Sequence, residues 1–205
     1  CQFRLLRERL AKLGLRRFLL ASKTVQLLFC LFQPCRNPGK SIVQTLDIAR
    51  IMGDDQYDFI LMPYSDTVSL DYFREVMNDT SGRWAYDKQM YGHVYTCRRG
   101  SINELQKFGA ARNDQHATII GIEPDVPSMA VEVLAAYGAQ NAAKLSIDPA
   151  RPTQTLELIG ITSAPHGKRF TMSERQILLT NGIATEYTES GYMRVERAVT
   201  TYQKN

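Results

Sequence analysis

Hydrophobic positions along this chain fall into short unbroken runs, each followed by positions spaced for a helix. The clearest case is residues 56–66, QYDFILMPYSD, where Phe59 through Pro63 are all apolar and Tyr57 and Tyr64 flank them. Ser65, Asp66 and Ser69 then supply a capping signal. A short apolar run with a cap behind it predicts a strand buried on both faces that feeds a crossover helix. That helix carries Leu70, Phe73 and Met77 on one face and stops near Asn78-Asp79. The same phrase recurs twice. Residues 92–97 (GHVYTC) precede a capping box, Ser101-Ile102-Asn103-Glu104, and a stripe of Ile102, Leu105, Phe108 and Gly109. Residues 117–122 (ATIIGI) precede Pro124, Pro127 and the longest helix, residues 128–145, with Val131, Leu134, Ala135, Gly138, Ala142 and Leu145 at helical spacing.

Three strand–helix units in succession predict parallel strands joined by right-handed crossovers. The fold class is therefore α/β, a three-layer arrangement with a mostly parallel central sheet and crossover helices. Upstream, Leu46, Ile48, Ala49 and Met52 predict a short helix ending at Gly53, and Arg83-Trp84 opens a helical turn. Downstream, residues 155–161 read as a further strand, and Thr171 to Glu174 caps a short helix that closes at Asn181-Gly182. Residues 183–188 and 192–202 then form a C-terminal hairpin around Ser190-Gly191. In its second strand Arg197 shares a face with Met193, Val195, Val199 and Thr201, which implies either a paired charge or a bulge.

Charge divides the chain. Residues 1–40 hold nine of the 25 Lys/Arg and only one of the 21 Asp/Glu, leaving sixteen against twenty for the rest. The body from residue 41 is thus mildly acidic, which argues against a nucleic-acid groove there. Phe3, Leu6, Leu10 and Leu13 among six nearby arginines and lysines describe a basic amphipathic helix, suited to a membrane or nucleic-acid surface. Arg16-Arg17 before apolar residues resembles a twin-arginine export signal, and Leu27 to Cys30 loosely resembles a lipoprotein box, but Ser22, Lys23, Thr24 and Gln26 break the run, too short to span a bilayer. Residues 1–40 read as an atypical basic N-terminal extension bounded by Asn37-Pro38-Gly39, and 41–205 as one α/β domain. Cys1, Cys30, Cys35 and Cys97 have no metal-ligand or disulfide-framework spacing, as expected of free thiols.

Open α/β sheets place ligands beyond the carboxyl ends of their strands. Arg98-Arg99-Gly100-Ser101 offers an anion site at a helix start, against the plainer reading of a solvated turn. Glu123 and Asp125 offer acid–base or cation chemistry, again against a simple turn. His93 and Cys97 share a strand face but stand about 13 Å apart; His116 and His166 are scattered, and Asp54, Asp55 and Asp58 read as a solvated turn. No P-loop, nucleophile elbow, dinucleotide fingerprint or HExxH motif is present. No catalytic, cofactor-binding or metal residue is assigned, and no cofactor is expected.

The phrases IMGDDQYDFI (51–60), GRWAYDKQMYGHVYTCRRG (82–100), FGAARN (108–113), GIEPDVP (121–127), IDPARP (147–152) and the stretch 170–205 stand in this order along the chain. Together they closely resemble the tail sheath protein of Mu-like contractile bacteriophages. The resemblance covers residues 41–205 and implies a subtilisin-like core without the protease triad. It implies a virion structural subunit, assembled in the bacterial cytoplasm, whose partners are other sheath subunits in six-fold rings, the tail tube and baseplate proteins, without nucleic acid or membrane insertion. Contraction of such a sheath drives the tube through the host envelope. Family chains continue past TTYQKN into a C-terminal sheath domain, so the sequence reads as a truncated form. Without the arms that add strands to neighbours, it is expected to fold yet not to form tubes unaided. Truncation is also expected to expose the sheet edge at residues 192–202. Two other classes stand beside this one: an α/β hydrolase or nucleotide-binding enzyme using the strand ends, and a basic peripheral membrane or nucleic-acid protein resting on residues 1–17.

Overall fold

The computed structural model describes residues 27–29, as backbone, and residues 48–202. The basic amphipathic stripe, the arginine pair, Cys1, Cys30, Cys35 and the Asn37-Pro38-Gly39 boundary lie outside the described residues.

A six-stranded sheet runs in sequence order. β1 (Leu27–Phe29), β2 (Phe59–Leu61), β3 (His93–Arg99), β4 (Ala117–Ile122) and β5 (Ile183–Glu189) are parallel, and β6 (Tyr192–Arg197) returns antiparallel to β5. β1 comes from the segment that charge sets apart as an extension, yet it pairs in register with β2, Leu27 opposite Phe59. The central apolar run forms a shorter strand than residues 57–64, although its ladder extends beyond the strand through His93 N to Asp58 O at 3.0 Å and Met62 N to Tyr95 O at 2.9 Å. Pro63 ends it, because proline brings no N–H to a ladder. Residues 59–62 are all buried, as expected of a strand covered on both faces.

Strand alternation divides the core in two. One face carries Ile60, Met62, Val94, Ile119 and Ile183 and is covered by α1 (Ile48–Met52), α2 (Thr67–Val76), α3 (Ile102–Ala110) and α5 (Met172–Thr180). The other carries Phe59, Leu61, Tyr95, Cys97, Ile120, Ile122 and Ala184, against α4 (Ala130–Leu145). Gly138 lets α4 approach: a Cβ there would lie 2.4 Å from Leu61 Cδ2. The capping signals hold. Asp66 accepts from Ser69 N at 2.9 Å, Ser101 N donates to Glu104 at 2.9 Å, and Thr171 N donates to Glu174 at 2.7 Å. Each such cap is worth about 1 kcal/mol.

The β4–β5 connection crosses from one face to the other, and two expectations change there. Residues 155–161 make no regular strand, since Thr155 has a positive φ of 59° and a turn follows Leu158. They still pair with the outer edge of β6: Thr155 N donates to Val195 O, Val195 N to Leu156 O and Leu158 N to Met193 O, at 2.7–2.9 Å. The β6 edge, expected to stand open, is covered from within the chain. The Arg197 question also resolves. Thr185 pairs with Arg197 but Glu186 with Val195, so Glu196 is the extra residue of a bulge and Arg197 turns outward. Positive φ at Ser190 (52°) and Gly191 (85°) forms the tight turn that joins β5 to β6.

Candidate functional site

At the carboxyl ends of the parallel strands, Arg98, Arg99, Ser101 and Glu123 are each engaged within the chain. Arg98 donates to Ser65 O at 2.9 Å, and its guanidinium lies 4.0 Å from the centre of the Phe108 ring. Arg99 donates to Ser128 O and, at 3.5 Å, to Pro124 O, tying the end of β3 to the loop after β4. Ser101, backbone and hydroxyl, donates to the Glu104 carboxylate, which those bonds hold below the usual carboxylate range. The α3 N-terminus thus already carries an anion, its own side chain.

Glu123 and Asp125 do not converge. Asp125 is exposed, while Glu123 is buried and accepts the Phe170 amide at 3.1 Å. The neighbour of Glu123 is one the sequence did not single out, Glu186 of β5. Burial, then the Glu123 carboxylate beside it, pushes the Glu186 carboxyl well above its ordinary range. Both Glu186 oxygens and Glu123 Oε2 lack any other partner. A protonated Glu186 has one O–H to donate to Glu123 Oε2, which still leaves its second oxygen without a partner.

The histidines serve separate ends. His93 Nε2 sits 2.9 Å from Thr118 Oγ1 with its ring against Tyr95, and burial followed by the nearby His116 lowers its pKa to about 4. His116 is buried against Trp84 and lies 3.1 Å from Asp79, while His166 is exposed. Cys97 is a buried free thiol whose pKa is pushed well up by burial, and such a thiol is a poor nucleophile. Asp54 and Asp55 are exposed; their turn is held by Arg83, which donates to Gly53 O at 2.6 Å and to Asp55 O. Among the described residues, no group of three His, Cys, Asp or Glu side chains is placed to hold a metal ion. No helix of the described residues is long and apolar enough to cross a membrane.

The exposed large apolar residues lie largely at the two ends of the sheet. Val68 and Met129 are exposed near the starts of helices that follow strands, Met172 at the start of α5 and Tyr192 in the hairpin, and Ile159 lies near Tyr192 by the residue 155–158 register. Ile51, Tyr86, Tyr91, Ile147 and Tyr202 are exposed around the opposite end, Tyr86 at 91%. The loop presenting Tyr86 is firmly seated. Ala85 is buried, Trp84 Nε1 donates to Gly92 O at 3.0 Å, and Trp84 packs edge-on against Tyr91 at 5.0 Å.

A mostly parallel sheet with helices on both faces and exposed apolar residues at both ends defines an α/β core domain. Comparison with known proteins names the family. The model of the phage tail sheath protein central domain matches residues 41–201, and the chain belongs to that family. It is 34% identical over 170 residues to the Mu-like prophage FluMu tail sheath protein of Haemophilus influenzae, which covers 82% of this chain and 33% of that one. Its fold is similar to the crystal structure of the sheath tail protein from Desulfitobacterium hafniense, with a TM-score of 0.56 and 11% identity over 77% of this chain and 34% of the other. The chain spans about a third of the length of these relatives.

Proposed function

We propose that this chain is the core of a structural subunit of a contractile phage tail sheath, working in the virion by contact with copies of itself and with the tube and baseplate that a sheath surrounds. The observation that carries this reading is the match to the sheath central domain over residues 41–201. The physical logic is mechanical. A sheath that shortens needs bodies that stay rigid while their contacts change, and a sheet packed on both faces provides such a body. The exposed apolar residues at the two ends of the sheet are where we place these contacts. They occupy two different ends of the sheet, so a contact joining one end to the other is heterologous, the kind that propagates into rings or helical arrays.

Sedimentation velocity over a wide concentration range tests the reading. Short oligomers should form as concentration rises, and Tyr86→Asp or Met172→Asp should weaken them at least tenfold without lowering the melting temperature. A monomer at every concentration, with the variants indistinguishable from it, contradicts the proposal.

A further inference from the structure

Glu123 and Glu186 stand apart from the other charged groups of the domain. They are 4% and 3% exposed, both Glu186 oxygens and one of Glu123 are buried without a formed hydrogen bond, the two carboxyl groups act directly on one another, and they come from chain segments more than sixty residues apart. Glu123 ends β4, Glu186 lies in β5, and the other oxygen of Glu123 accepts the amide of Phe170, two residues before α5 begins. Three segments therefore meet at one carboxyl pair. The surroundings offer little to neutralise a second negative charge. Arg175 of α5 faces the pair but donates to Glu196 of β6 at 2.8 Å and to Phe170 O at 2.9 Å. Glu196 also accepts from Thr185 at 2.9 Å. Cys97 of β3 and Tyr137 of α4 face Glu186 with neutral groups whose ionisation burial opposes. Arg99, acting on Cys97, donates to the carbonyls of Pro124 and Ser128.

We propose that the Glu123–Glu186 pair is a proton-operated latch: one shared proton holds the end of β4, β5 and the approach to α5 together, and its loss releases Phe170 and α5 from the sheet before the rest of the domain opens. The closed state binds one proton more than an open state in which Glu186 meets water and titrates like an ordinary carboxyl. Opening is therefore favoured as pH rises, by about tenfold per pH unit, from about pH 5 up to the point where Glu186 ionises in place. The latch is a property of the folded core and is independent of assembly.

Hydrogen exchange of the whole chain from pH 5 to 9, corrected for intrinsic exchange rates, tests it. In the wild type, protection at Phe170 and through α5 should fall by about tenfold per pH unit and stay below that of the β2 amides at every pH, since β2 exchanges only when the whole domain opens. Glu186→Gln, which still donates to Glu123, should flatten that dependence. Parallel pH profiles for wild type and Glu186→Gln overturn the proposal. Should that variant not fold, the wild type alone decides. Protection at Phe170 and α5 that lies below that of β2 and falls with pH upholds the latch; protection equal to that of β2, or independent of pH, refutes it.

Discussion

The two faces of the sheet differ in how they treat polar groups. On the face under α1, α2, α3 and α5, the buried hydroxyls have partners: Thr96 donates to Tyr64 O at 3.3 Å and Thr185 to Glu196. The other face, under α4, buries the Tyr137 hydroxyl, both polar atoms of Asn141 and both Glu186 oxygens without well-formed partners, although Asn141 lies beside the Tyr137 hydroxyl. It also holds Tyr95, whose pKa burial raises to about 12, Cys97, and His93 at its margin. An unpartnered buried polar group costs stability, whereas an apolar one adds to it. The first face therefore supplies stiffness, and the second makes the stability of the domain depend on pH.

Substitutions on the two faces should consequently have opposite characters. Phe73→Ala, on the first face, removes a fully buried ring from the α2 contact and should cost roughly 3–5 kcal/mol in urea denaturation. His93 should dominate on the acid side. Its folded pKa, about 4, lies below the ordinary 6.5, so the stability it confers is present above pH 6.5 and is lost as pH falls toward 4. The loss should reach roughly 1–3 kcal/mol. The difference between wild type and His93→Gln across that range isolates it, because the raised Glu186 acts in the opposite sense. Asn141→Leu, on the second face, should raise stability by about 1 kcal/mol, since the amide it removes has no good partner. Tyr137→Phe should change stability least, by less than about 1 kcal/mol in either direction. A large loss from either of the last two would erase the contrast between the faces.

Local rules made most of this fold readable. Apolar runs followed by caps located β2, β3 and β4 with their helices, and the Ser101/Glu104 and Thr171/Glu174 pairs marked two helix starts to the residue. Arg197 on an apolar face left a paired charge and a bulge open, and the register of β5 and β6 has the bulge. What the sequence hid depended on distant partners. Leu27–Phe29 is only three residues in a basic segment, and its pairing with β2 has no local signature. The β6 edge is covered by an irregular segment whose bonds come from more than thirty residues away. Glu186 sits in a strand of alternating polar residues that reads as half exposed; its burial is decided by the helices and the end of β4 that close over it. Glu123 read as part of a surface turn for the same reason.

The most direct test of the central claim, that this core works by end-to-end contact with its own copies, is cross-linking mass spectrometry on a mixture of isotopically light and heavy chain. Lys88 lies in the exposed loop at one end of the sheet and Lys168 in an exposed loop at the other. The account predicts mixed-isotope cross-links joining Lys88 of one copy to Lys168 of another, growing with concentration and suppressed by Tyr86→Asp. Mixed-isotope links only between like lysines, or none at any concentration, would contradict it.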